Sequence, residues 1–159
     1  MGYQLFDLKY QYNFYKLYHK DKINVAIHIF CIPMIVWSFS LLLTPIVIYN
    51  EFINLTFFIS LLYGFYYLVL DLYLGKFMFL FMLLNWFTTY LFYYNTQSPI
   101  FWALAINIFS WVIQILGHKL FEGNQPAFMD SLIQSFLIAP MFVLIDVIKI
   151  LNKSFTIGN

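Results

Sequence analysis

The sequence predicts an all-α, polytopic membrane protein that forms a single domain over residues 1–159. The first reason is composition: 63% of the residues are hydrophobic and only 9% are charged, too few to cover a globular protein in water. The second is a series of four apolar stretches, each close to the roughly 20 residues that a bilayer requires. The third is the placement of the lysines, which fall in alternate connections between these stretches, while arginine is absent.

Residues 3–20 are predicted to form an N-terminal interfacial helix. Most of their apolar and aromatic side chains fall on one face, and Lys9 and Lys16 lie outside it, a pattern typical of helices in the headgroup layer. The members of that face are Tyr3, Leu5, Phe6, Tyr10, Phe14, Leu17 and Tyr18. Asp21 is expected to cap a new helix that begins at Lys22. This break matters because nine residues of one continuous helix would turn His19 and His28 about 180° apart.

Four transmembrane helices are predicted next, at residues 25–48, 52–74, 77–94 and 100–117. The short polar segments 49–51, 75–76 and 95–99 are expected to separate them. Pro33 and Pro45 fall inside the first span and are expected to bend it.

The last apolar stretch, residues 127–151, allows two arrangements. A fifth span would place Lys149 and Lys153 on the outer side of the membrane, against the trend of the other lysines. A helical hairpin hinged at Pro140 keeps both lysines inside, and the sequence favours it.

Lysine placement also predicts the orientation. Six lysines fall on one side of a four-span arrangement, and the other side holds Glu51 and no lysine. These six are Lys9, Lys16, Lys20, Lys22, Lys76 and Lys119. By the positive-inside rule the N-terminus is cytoplasmic. The net charge of +1 argues against nucleic acid as a partner, and the sequence does not indicate an oligomeric state.

The three histidines of the chain are the candidate metal ligands. His19, His28 and His118 all fall on the predicted cytoplasmic side, although about ninety residues separate the first two from the third. Three imidazoles can hold a catalytic metal and leave coordination positions open. The alternative is that each histidine is a hydrogen-bonding residue at the membrane interface.

Three polar residues are candidate catalytic partners of these histidines. Asn24 lies four residues before His28, and Glu122 four residues after His118, so each pair shares a helix face if the helices are continuous. Gln114 lies one turn before His118, and it and Asn24 are expected to orient ligands or substrate. A solvated Glu122 that pairs with Lys119 is the alternative for that residue.

Other membrane enzymes and carriers fit the sequence less well. Di-iron hydroxylases need paired clusters with more histidines than the three present. Transporters place charges or broken helices at the middle of the bilayer, whereas the charges here lie at the predicted span ends. No serine lies in a Gly-x-Ser-x-Gly pattern.

Four groups of segments resemble a known family, the small membrane proteins typified by the fungal 2-hydroxy-palmitate dioxygenase. The first group is 14–19 (FYKLYH) with 24–28 (NVAIH) and 32–33 (IP). The second is 111–118 (WVIQILGH) with 121–122 (FE) and 126–127 (PA). The third is 130–135 (DSLIQS), and the fourth is 139–140 (AP) with Asp146 after it. Their order along the chain makes the resemblance specific.

The resemblance implies an iron(II) enzyme of fatty acid α-oxidation. Its partners are a 2-hydroxy long-chain fatty acid, dioxygen and membrane lipid, and its product is the fatty acid one carbon shorter. His19, His28 and His118 match the histidines expected to bind Fe(2+), and Glu122 matches the acid that follows the third histidine. The aromatic-rich spans are expected to form the acyl groove, and the endoplasmic reticulum is the expected membrane for a eukaryotic source. The alternative is a non-catalytic membrane subunit or scaffold that keeps the same fold.

Overall fold

The computed structural model describes residues 5–123 and 134–157, and in those ranges the chain is helical with no strand. The predicted all-α class is therefore confirmed. The α-helices are α1 Leu8–Tyr18, α2 Lys22–Leu43, α3 Leu55–Leu70, α4 Leu72–Asn95, α5 Pro99–Gly117 and α6 Ala139–Leu151. A π-helical turn, His118–Glu122, continues α5, and a second one, Gln134–Ile138, precedes α6.

Helices α2 to α5 form an up-and-down bundle that α1 and α6 cover at one end. The antiparallel course of α2 and α5 is shown by contacts at two levels: His28 faces His118, and Asn107 donates to Ser38. At the covered end, Tyr12 of α1 donates a hydrogen bond to Asp146 of α6. This end of the bundle also holds all three histidines.

Three helical segments are long and apolar enough to cross a membrane: Lys22–Leu43, Leu72–Asn95, and Pro99–Glu122, which joins α5 to its π turn. Helix α3 is apolar but has only 16 residues. Large apolar side chains nevertheless point outward from α3 as well as from its neighbours, as with Leu62, which is 68% exposed, and Phe30, which is 73% exposed. The structure thus supports a membrane protein, and the count of four spans stays a prediction.

The predicted break between α1 and α2 is confirmed. Asp21 has an extended backbone, and its carboxylate accepts hydrogen bonds from the backbone N–H groups of Ile23 and Asn24. These two N–H groups belong to the first turn of α2, where helical partners are missing. The chain therefore turns at residues 19–21, and His19 lies at the corner.

Helix α1 has two apolar faces rather than one. Tyr10 and Leu17, members of the predicted membrane face, are exposed. Leu8, Tyr12 and Tyr15 are buried against the core that α1 shares with α3, α4 and α6. The exposed face remains available for the membrane interface, and the buried face attaches the helix to the bundle.

The first predicted span is too long at its C-terminal end. Helix α2 ends at Leu43, and Pro45 lies beyond it, so only Pro33 is inside the helix. Proline has no N–H to donate and its ring collides with the preceding turn, so Pro45 ends the helix where a bend was predicted.

The boundary between the second and third predicted spans is also wrong. Asp71, inside the predicted span 52–74, has an extended backbone, and its carboxylate accepts from the N–H of Leu74. It therefore ends α3 and caps α4. Gly75, expected in a loop, lies in the first turn of α4.

Gly75 permits a close approach between α3 and α4. A Cβ atom at this position would overlap the backbone carbonyl of Tyr67. Gly75→Ala is therefore expected to lower the free energy of unfolding by about 1–3 kcal/mol, measured as a loss of thermal stability in detergent. Gly64→Ala is the control, because its Cβ would meet only the Phe79 ring, a side chain that can move. Equal stability of the two variants would contradict this packing.

The C-terminal prediction is tested only in part. Pro140 lies in the first turn of α6, directly after the π turn Gln134–Ile138, and the hinge stays a prediction. Helix α6 has 13 residues and is not among the candidate spans. Residues 124–133, with Asp130 and the first arm of the predicted hairpin, lie outside the described ranges.

Candidate metal centre

The fold brings the three histidines together. His19 follows α1, His28 lies in the second turn of α2, and His118 is at the junction of α5 with its π turn. Their ring centroids are 4.4 to 4.8 Å apart, and the rings are nearly perpendicular to one another. All three side chains are buried. One nitrogen atom from each ring lies within 4.8 Å of the others.

Backbone carbonyls set the orientation of two of these rings. The Nδ1 of His19 lies 3.0 Å from the carbonyl oxygen of Tyr15, and the Nδ1 of His28 lies 2.8 Å from that of Asn24. A carbonyl only accepts, so each Nδ1 carries the proton and each Nε2 keeps its lone pair. Metal-binding histidines are commonly held in this way.

The donor set fits a metal ion. The Nε2 atoms of His28 and His118 are 3.2 Å apart, and two nitrogens that bind one ion at about 2.1 Å lie roughly 3–3.5 Å apart. Among the described residues, the buried Nε2 of His19 has no hydrogen-bond partner. Burial, and next the neighbouring His28, lower the pKa of His19 to about 2. This imidazole is therefore neutral near pH 7, as a metal ligand must be.

Tyr15 and Asp146 support the cluster, and sequence reasoning missed this role. The Tyr15 ring stacks on His19 with centroids 3.9 Å apart. The Tyr15 hydroxyl donates to one carboxylate oxygen of Asp146 over 3.1 Å, and Tyr12 donates to the other over 2.6 Å. The spacing of Tyr15 and His19, four residues apart, was the available signal. Asp146 itself lies outside the histidine group and anchors α1 to α6.

Glu122 lies beside the histidines at the corner between α1 and α2. Its Oε1 accepts hydrogen bonds from the backbone N–H groups of Lys20 and Asp21, over 2.7 and 2.9 Å, and from Nδ2 of Asn24 over 3.0 Å. The sequence suggested that Glu122 shares a face of an α-helix with His118. The segment after Gly117 is instead a π turn, whose wider spacing changes the direction of the Glu122 side chain. The carboxylate thus connects the end of α5 to the corner that carries His19.

Asn24 and Gln114 are buried near the cluster. A Cβ at Gly117 would lie 2.8 Å from the Asn24 Oδ1, so the glycine lets α5 approach α2 closely. Among the described residues, neither Asn24 Oδ1 nor Gln114 Nε2 has a hydrogen-bond partner. Buried polar atoms without partners are costly and are often satisfied by a ligand or water. Gln114 lines the cavity beside the histidines, so its Nε2 is available to a molecule bound there, whereas Asn24 Oδ1 faces Gly117.

A cavity of about 380 Å³ begins at the histidines and continues between the helices. His19, His28, His118 and Gln114 line its polar end, and most of its remaining wall is apolar. Aliphatic residues form much of the lining, and three phenylalanines also belong to it: Phe39, Phe136 and Phe142. Phe39 and Phe136 are both about half exposed, so the cavity reaches the outer surface of the bundle beside them.

Two comparisons with known proteins find similarity over nearly the whole chain. A family model described as "2-hydroxy-palmitic acid dioxygenase Mpo1-like" matches residues 5–150. A curated protein of Saccharomyces cerevisiae named 2-hydroxy-palmitic acid dioxygenase MPO1 is 35% identical over 147 residues, which is 92% of this chain and 82% of that protein. No solved structure matches significantly.

Proposed function

Because the chain belongs to the Mpo1-like family, we propose that it is a membrane dioxygenase of fatty acid α-oxidation. In this proposal, a 2-hydroxy fatty acid and dioxygen give the fatty acid one carbon shorter, carbon dioxide and water. The equation balances without another reductant. The observation that carries the proposal is the convergence of three buried imidazoles at the polar end of a mainly apolar cavity.

His19, His28 and His118 would hold the metal, for which we propose Fe(2+). Bound iron(II) would supply redox chemistry toward dioxygen and a charge that attracts the hydroxyl and carboxylate of the substrate. Three protein ligands leave coordination positions open. The carbonyls of Tyr15 and Asn24 keep two of the imidazoles in the tautomer that presents Nε2 to the ion.

The other residues of the site would bind the substrate and orient the histidines. Gln114 Nε2, a donor without a partner among the described residues, is available for the substrate carboxylate. Asn24 connects His28 to Glu122 through its carbonyl and amide groups. The apolar cavity would take the acyl chain and exclude water from the reacting carbons. The opening beside Phe39 and Phe136 would admit the chain from the bilayer.

We propose four crossings, α2 to α5, with the metal centre at the cytoplasmic face. Helix α3 spans about 24 Å at 1.5 Å per residue, and such a shortfall is accommodated by local thinning of the bilayer. The outward-facing Leu62 and Phe65 of α3 support its contact with lipid. The lysines at the beginning of α2 and α4 lie at the same end as the histidines, which supports the orientation.

The test is turnover of 2-hydroxypalmitate by purified protein, with and without added iron(II) under air. We expect the fifteen-carbon acid, identified by mass spectrometry, only when iron is present. Metal analysis of the same sample should give about one ion per chain. Folded protein that binds no metal and forms no product would favour the non-catalytic scaffold.

A further inference from the structure

The apolar cavity has a defined depth. Ile32, Val36 and Ser40 of α2 all line it, and they follow His28 at about 6, 12 and 18 Å along the helix axis. On α5, Asn107 lines the cavity about 17 Å from His118. The two antiparallel helices therefore place the polar residues Ser40 and Asn107 at one level, far from the histidines.

This level is a hydrogen-bonded layer, which we call the polar floor and define as Ser40, Thr56, Asn85 and Asn107. The Ser40 hydroxyl accepts from Asn85 Nδ2 over 2.7 Å, and its carbonyl accepts from the Thr56 hydroxyl over 2.9 Å. Asn107 donates to the hydroxyl of Ser38. The layer thus joins α2 to α3, α4 and α5.

A hydrocarbon chain cannot replace these hydrogen bonds. Ser40, Thr56 and Asn85 are buried, and a methylene group pushed between them would leave polar atoms unpaired, at about 1–3 kcal/mol each. Asn85 also lines a second apolar cavity of about 350 Å³, which is open to the surface of the bundle beside Met34 and Leu84. Its hydrogen bond to Ser40 therefore stands between two spaces that could each hold an alkyl chain.

We propose that the polar floor sets the longest acyl chain that the site accepts. An extended chain advances about 1.2 Å per bond, as the extended backbone does, so 18 Å holds roughly 15 bonds. If the carboxyl end of the substrate lies at the histidines, the terminal methyl group reaches the polar floor when the chain has about 16 carbons. This inference rests on the proposed function for the position of the carboxyl end.

The test uses one variant that shortens the cavity and one that lengthens it, and measures the longest acyl chain that each variant accepts. Val36→Phe fills the cavity at about 12 Å and is expected to lower the limit to about 10–12 carbons. Affinity for the sixteen-carbon acid should fall at least about 10-fold, and that for the eight-carbon acid should stay unchanged. Asn85→Ala joins the two cavities and is expected to raise the limit by two or more carbons.

The control is Met34→Phe. Met34 lies on α2 between the levels of Ile32 and Val36, but it lines the second cavity and not the first. It should leave the limit at its wild-type value. A folded Val36→Phe protein in which all chain lengths change together would overturn the inference, because the chain would then leave through the opening beside Phe39.

Two readouts separate this inference from the proposed function. Binding is measured as the thermal stabilisation of each variant by 2-hydroxy acids of eight to twenty-two carbons, and turnover is measured on the same series. If the chain-length limit for binding changes in the variants but no protein forms product, the role of the polar floor is supported and the proposed dioxygenase activity is refuted. If the proteins form product but the chain-length limit is the same in every variant, the dioxygenase activity is supported and the role of the polar floor is refuted.

Discussion

Replacing His118 with alanine is expected to abolish turnover of 2-hydroxy fatty acids and to remove bound metal from the purified protein. His118 is buried, and its Nε2 lies 3.2 Å from that of His28. Without it, two imidazoles remain and the ion loses a third of its protein ligands. Loss of a residue that only orients a ligand costs about 10–100-fold, so we expect a loss of turnover greater than 100-fold.

The measurement combines metal content, product formation and folding. His118→Ala should still insert in membranes and elute as the wild type does, because the deleted ring leaves most helix contacts in place. Lys119→Ala is the matched control: it changes the next residue of the same π turn, whose side chain is exposed. A His118→Ala protein that keeps its metal and its turnover would refute the ligand assignment.

Removing the side chain of Glu122 is expected to reduce turnover about 10–100-fold. Its Oε1 accepts from the backbone at Lys20 and Asp21 and from Asn24. Hydrogen bonds to a charged group contribute about 1.5–3 kcal/mol each. In Glu122→Ala the corner between α1 and α2 loses this acceptor, and His19 loses its fixed position beside the other two histidines.

Glu122→Gln distinguishes a positioning residue from a catalytic acid. The glutamine carbonyl can accept the same hydrogen bonds, so Glu122→Gln should keep most of its turnover, whereas Glu122→Ala should show the loss of about 10–100-fold. Glu51→Ala, an exposed acid at the opposite end of the bundle, is the control for a change of charge. If Glu122→Gln were as inactive as Glu122→Ala, the carboxylate would act in the chemistry itself.

The helix starts that the sequence predicted correctly and incorrectly differ in how local their causes are. The break at Asp21 was predicted correctly because a capping carboxylate and the N–H groups it accepts from lie within three residues of each other. Gly75 was misread because its role depends on the backbone of Tyr67, in the preceding helix. A sequence alone does not distinguish a glycine that permits close contact between helices from a glycine that lies in a loop.

The candidate site shows the same division. Hydropathy, spacing and lysine placement indicated that His19, His28 and His118 share one end of the bundle, since alternate crossings return the chain to the same side. They could not indicate that Glu122 accepts from the backbone of Lys20 and Asp21. That contact depends on a π turn, and the wider spacing of such a turn is set by packing rather than by local side-chain pattern.

The sequence by itself determined the helical class, the apolar segments, the helix start at Lys22 and the three histidines that are candidate metal ligands. These follow from interactions within a few residues and from the cost of burying polar groups in lipid. Only the tertiary structure decided that Asp146 anchors Tyr15 beneath His19, that Glu122 supports the corner, and that the cavity extends from the histidines as far as Ser40. The hydrogen bonds of Asp146 and Glu122 join residues more than 100 positions apart, and their geometry depends on where each helix ends and how closely its neighbours approach.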